Sequence, residues 1–156
     1  MKLLLDDADI DYKEKDRKNK LIDRIKSTKR IVTLDVESTG LYPFVDRIVA
    51  FSIGLEGELF NERDPRVEDV DSFVIPVELE DQDQYDLTRS DIVWFFREVK
   101  KSKARLVFHK SIFDTMFVYL NFEVMLDIWD DTLTISAICS ENVGLKQLAY
   151  MYFGLK

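Results

Sequence analysis

Residues Arg30 to Glu37 read RIVTLDVE, and Ser38-Thr39-Gly40 follows directly. The β-branched residues and apolar stem suit a buried strand, and Ser-Thr-Gly supplies the turn that ends it. Asp35 and Glu37 stand two apart in this strand. A strand repeats every two residues, so both carboxylates project from one face while Val36 points to the other. Adjacent carboxylates repel unless a cation sits between them, and hard oxygen ligands suit Mg²⁺ or Mn²⁺. The spacing alone proves nothing, because 30 acidic residues in a chain of 156 give an Asp-x-Glu about once by chance. Position adds weight: a charged pair at the end of a buried-looking strand is costly without a partner. A strand end that reaches solvent is the plainer explanation of the same pair.

Working outward, Leu21, Ile22 and Ile25 recur at helical spacing among charges. This predicts an amphipathic helix from about Asp16 to Thr28. The preceding residues 1–15 are polar and are expected to form a flexible end. Downstream, Arg47 to Leu55 (RIVAFSIGL) reads as a second strand, followed by an acidic loop containing Pro65 and a third strand from Phe73 to Val77. Thr88 or Ser90 can cap a helix running through Lys101, with Ile92, Val93, Phe95, Phe96 and Val99 toward the core. Arg105 to His109 is a fourth strand. Ser111 to Phe122 carries Phe113, Met116, Phe117 and Leu120 at i, i+3, i+4 and i+7, an amphipathic helix. Met125 to Trp129 reads as a short fifth strand, and helices at about Asp131 to Ser140 and Gly144 to Phe153 close the chain. Three consecutive strands followed by alternating helix and strand indicate an α/β fold, a mixed sheet with helices on its faces.

Composition narrows the functional classes. Hydrophobic residues make up 46% of the chain, with eleven Phe and six Tyr, enough for one domain with a core, here residues 16–156. The single Cys139 excludes an internal disulfide and reads as a small buried hydrophobe in a cytoplasmic protein. No apolar run approaches the length of a membrane span, and Met1 to Leu5 passes straight into Asp6-Asp7, so neither membrane nor export is expected. The net charge of -8 argues against general electrostatic capture of nucleic acid, which rests on Lys and Arg neutralising phosphates. Only short basic clusters exist, at Lys26 to Arg30 and Lys100 to Arg105.

A second candidate feature is His109-Lys110-Ser111-Ile112-Phe113-Asp114, which crosses from a strand end into the first turn of a helix. An acid is favoured there by the helix dipole, which gives Asp114 a purely structural explanation. The only histidine of the chain, His109 gains meaning only beside Asp114.

Taken together these stretches resemble a known family. LDVESTGL (Leu34 to Leu41) is similar to the first motif of the DEDD superfamily of 3′-to-5′ exonucleases, and LVFHKSIFD (Leu106 to Asp114) to the second. WDDTLTISAICSENVGLKQLAYMYFG (Trp129 to Gly154) resembles the stretch that follows in the proofreading domains of bacteriophage family A DNA polymerases. The resemblance implies a ribonuclease-H-like fold with a five-stranded sheet, and two-metal hydrolysis of single-stranded DNA 3′ ends. Asp35 would bridge two ions, Glu37 would ligate the one that activates water, and Asp114 would hold the second. Leu41 would wedge against the terminal base, Thr39 and Phe113 would line the 3′ end, and His109 and Lys110 would lie against it. Lys110 departs from the family's Asn, replacing an amide that donates and accepts with a pure donor.

The family's third motif, Tyr-x-x-x-Asp, would fall after Lys156. Tyr12 to Asp16 does read Tyr-x-x-x-Asp, but it precedes the first strand; Asp130 and Asp131 suit a helix cap better. The expectation is therefore an exonuclease part of a phage polymerase whose missing motif comes from a partner chain, or self-association through an uncovered apolar face. The alternative is a catalytically inactive module of the same fold that binds DNA or a replication protein. The reading requires Asp35 and Asp114 to converge at one solvent-accessible cleft.

Overall fold

Burial alternates strictly along Ile31–Ser38 (β1): Val32, Leu34 and Val36 are buried, while Thr33, Asp35 and Glu37 face solvent. The computed structural model describes residues 14–28, 31–56, 70–77, 88–139 and 144–154. Antiparallel to β1 runs Ile48–Glu56 (β2), which in turn pairs antiparallel with Val70–Pro76 (β3). On its other side β1 pairs in parallel with Arg105–Phe108 (β4), and β4 with the two-residue Asp130–Asp131 (β5). The sheet is five-stranded and mixed, in the order β3-β2-β1-β4-β5. Parallel neighbours need a crossover, and the helices supply it.

Those helices are Glu14–Ser27 (α1), Arg89–Ser102 (α2), Ser111–Phe122 (α3), Thr132–Ile138 (α4) and Leu145–Phe153 (α5). The core lies where α1, α2 and α3 meet the even-numbered face of β1. The Phe51 ring of β2 lies tilted against Phe95 and Phe96 of α2, with centroids 5.3 Å and 4.8 Å away, and Phe96 stacks at 5.4 Å on Phe122 of α3. Rings at such spacing add to their burial through tilted and stacked contacts. Thr88 closes a capping box with Asp91 at the start of α2, each side chain satisfying a backbone N–H that the helix leaves orphaned.

The structure corrects three expectations. Met125 to Trp129 is not a strand. Val124 and Leu126 are buried and Met125 is exposed, a strand-like alternation, yet the backbone of 123–129 joins no ladder. Only the Trp129 N–H reaches Leu106 O, at 2.8 Å, and pairing begins at Asp130. Cys139 is exposed rather than buried, because α4 ends at Ile138 and buries only Ser136. The third strand begins at Val70, three residues before Phe73. Residues 1–13, Lys29, Arg30, Pro65 and Ser140 lie outside the described residues, as does the side chain of Asp16. Among the described residues no helix is long and apolar enough to cross a membrane.

Candidate active site

The ladder between β1 and β4 covers only Ile31 to Thr33 of β1. Beyond it, on the β4 side, the backbone of β1 outruns its neighbour, and α3 takes the place of the ladder. The Val36 N–H donates to Asp114 Oδ1 at 3.0 Å. Residues 78 positions apart in sequence are joined by this bond, which seats the Asp114 carboxylate against the strand residue between Asp35 and Glu37. The three acids thus gather at one end of β1. Asp114 itself is only 2% exposed, whereas Asp35 and Glu37 face solvent.

Electrostatics reflect that crowding. The Asp114 carboxyl is pushed up to about 7, first by loss of hydration and then by the charge of Asp35, against the pull of the Val36 N–H. Asp35 is also raised, by loss of hydration and by Glu37, while His109 draws it back. Carboxylates so placed disfavour one another's ionised form unless a cation intervenes.

Opposite the acids, β2 presents only small residues. Thr33 faces Gly54, Asp35 faces Ser52, and Glu37 faces Ala50. A Cβ at Gly54 would stand 2.4 Å from Thr33 Oγ1, so glycine lets these strands pass at this point. Ala-x-Ser-x-Gly at period two is a signal that the sequence reading passed over: small side chains leave the acid-bearing face open.

The strand-to-helix corner is built around Asp131. Its Oδ2 accepts from the Ser111 N–H and hydroxyl, both at 2.7 Å, and its Oδ1 from the Lys110 and Leu133 N–H groups at 3.0 and 2.9 Å. One carboxylate therefore caps both α3 and α4. Partial burial acts to raise it, but these donors outweigh burial and hold it at about 2. Thr132 donates its hydroxyl to Phe108 O at 3.1 Å and lies 2.9 Å from His109 Nδ1. With the hydroxyl proton committed to Phe108 O, Nδ1 is the donor of that pair. Sequence reasoning gave Asp131 a cap on α4 and overlooked its second helix and the role of Thr132.

The remaining candidates divide. Thr39 lies in the turn after β1 and accepts the Arg47 N–H at 3.0 Å, and Leu41 is largely in solvent. Lys110 takes the left-handed conformation, φ 70°, a region that Asn enters more readily than Lys. Its Nζ sits 5.8 Å from the Phe113 ring. Phe113 is half-buried against the core. Of the two basic clusters, Lys26 and Lys101 are tied to Glu98 at 2.6 and 2.7 Å.

The acids fit a metal by chemistry, since all offer hard oxygens and repel one another without one. As they stand, no three His, Cys, Asp or Glu side chains among the described residues are grouped to hold an ion.

Solved nuclease structures share this architecture. A structure described as the apo form of the nuclease superposes with a TM-score of 0.58 at 18% identity, over 88% of this chain and 56% of that one. For Brucella melitensis NrnC the values are 0.53 and 22%, over 81% and 53%. For the Aedes aegypti Nibbler EXO domain they are 0.59 and 13%, over 90% and 66%. The chain has the ribonuclease-H-like exonuclease fold. It spans a little over half the length of the first two structures. No protein-family profile and no curated protein matches its sequence.

Proposed function

We propose that this chain is a 3′-to-5′ exonuclease part that removes nucleotides from single-stranded DNA 3′ ends by two-metal-ion chemistry. The observation that carries the reading is the Asp114 carboxylate seated on the Val36 N–H, between the two acids of β1. NrnC has been solved with Mg²⁺, which supports a divalent cation for this fold. Asp35, Glu37 and Asp114 would hold the ions, which when bound supply an activated water and charge stabilisation for the departing oxygen. Leu41, Thr39 and Phe113 would orient the terminal nucleotide. His109, fixed by Thr132, would present Nε2 beside Asp35, and Lys110 would offer a cation to a phosphate. Descent from a phage polymerase rests on the resemblance of Trp129 to Gly154. Further polymerase sequence, or a second copy of the chain, would cover α5, where Leu148 is buried and Leu145, Tyr150, Met151 and Phe153 are exposed.

The test is a 5′-labelled oligonucleotide incubated with this chain, Mn²⁺ and, where the gene immediately downstream encodes a polymerase, its product. Stepwise shortening that Asp35→Ala abolishes supports the reading, and an intact strand refutes it. One observation favours the inactive-module alternative: Asp114 is buried, and among the described residues no three acids are close enough together to hold an ion. Binding of the same strand that is indifferent to Mn²⁺, with no shortening, would select that alternative.

A further inference from the structure

The turn between β1 and β2 puts large apolar side chains where a surface turn ordinarily carries polar ones. Leu41, Tyr42, Phe44 and Val45 are 76%, 73%, 81% and 79% exposed. The turn that carries them is braced throughout. Thr39 Oγ1 donates to Asp46 Oδ1 at 3.0 Å, and Asp46 Oδ2 accepts the Tyr42 N–H at 2.8 Å. The Val45 and Asp46 N–H groups both return to Tyr42 O, and the Thr39 N–H to Arg47 O. Gly40 makes this bracing possible, because a Cβ there would meet the Asp46 carboxylate at 2.5 to 2.7 Å. A turn with its own backbone satisfied in this way presents its side chains in a fixed arrangement before any ligand arrives, which lowers the ordering cost of binding.

We propose that Tyr42 and Phe44 form a stacking platform for the bases of a single strand, behind the nucleotide held at the carboxylates. The inference rests on the nuclease reading above and extends it from the terminal nucleotide to those that follow. Three observations specify the occupant. The turn continues β1 directly, and Thr39 stands two residues beyond Glu37, so whatever lies on the platform is adjacent to the acid-bearing end of the strand. The side chains of Ala50 and Ser52 next to that end are small, leaving a path across the sheet face. A chain of net charge -8 gains little from phosphate neutralisation, and stacking on aromatic rings is the sequence-tolerant alternative. Neither ring belongs to the hydrophobic core, so removing one leaves that core intact.

The experiment measures affinity for a fluorescein-labelled eight-nucleotide thymidine strand by anisotropy, in Ca²⁺ to prevent turnover. Each of Tyr42→Ala and Phe44→Ala is expected to weaken binding about tenfold, and Tyr42→Phe and Phe44→Trp to retain it. A strand with abasic sites behind its terminal nucleotide should bind the native chain less well, yet show no further loss with the double alanine variant. Equal affinity of native and double-variant chains for the full strand overturns the platform and leaves the nuclease reading standing. No binding by the native chain overturns both. Unchanged affinity together with a lower sedimentation coefficient for the variants overturns the platform by assigning the turn to contact between copies.

Discussion

Replacing Asp131 should cost this small fold a large share of its stability, because one carboxylate serves two helices. In Asp131→Ala the N–H groups of Lys110, Ser111, Leu133 and Thr134 and the Ser111 hydroxyl lose their common acceptor. A helix cap is worth about 1 kcal/mol, and there are two. Hydrogen bonds to an ionised acceptor run to about 1.5–3 kcal/mol, and buried donors left unpaired add to the loss; Ser111 is such a buried residue. The expected destabilisation is about 2–4 kcal/mol, against a total of about 5–15 kcal/mol for a typical domain. Asp131→Asn should cost roughly half as much. Its remaining carbonyl oxygen can still accept from Leu133 and Lys110, while its amide nitrogen confronts the Ser111 donor. Because the carboxyl is held at about 2 in the folded chain, below its ordinary range, its contribution is full above pH ~4 and disappears as pH falls toward 2. Urea denaturation followed by circular dichroism at pH 7 and pH 3 measures all three effects. A loss below about 0.5 kcal/mol for the alanine variant, or equal losses for alanine and asparagine, would refute the double cap.

Asp114 should behave in the opposite sense. Its pKa is raised to about 7, so its contribution to stability is fully present below pH ~4 and is lost as pH rises through 7. With EDTA present, Asp114→Asn should gain on the native chain over that interval, by on the order of 1–3 kcal/mol after discounting for solvent screening. Parallel urea midpoints for the two chains from pH 4 to 8 would contradict the assignment. At Lys103, the left-handed C-cap of α2 with φ 55°, glycine should stabilise the protein by about 0.5–1 kcal/mol. An unchanged or lower thermal midpoint for Lys103→Gly would show that the lysine side chain contributes more than its backbone strain.

Much of the fold is legible in local pattern. The period-two burial of β1 and the helix Ser111–Phe122 follow the predicted boundaries closely, because side-chain periodicity and end signals act within a few residues. The same logic misleads at 123–129, where Val124 and Leu126 alternate with exposed neighbours but find no strand alongside. Alternation reports burial on one side of an extended segment; pairing depends on a neighbour that the segment does not encode.

From the sequence alone came the α/β order of elements, the shared face of Asp35 and Glu37, and a helix-capping role for Asp131. Those properties depend on neighbours within one turn or one pleat, and the chain carries them wherever it goes. Only the folded chain decided that β1 outruns β4, freeing the Val36 N–H for Asp114, and that Asp131 reaches across to a second helix. These contacts join residues 78 and 20 positions apart, and they exist because buried backbone donors must find acceptors once the sheet has closed.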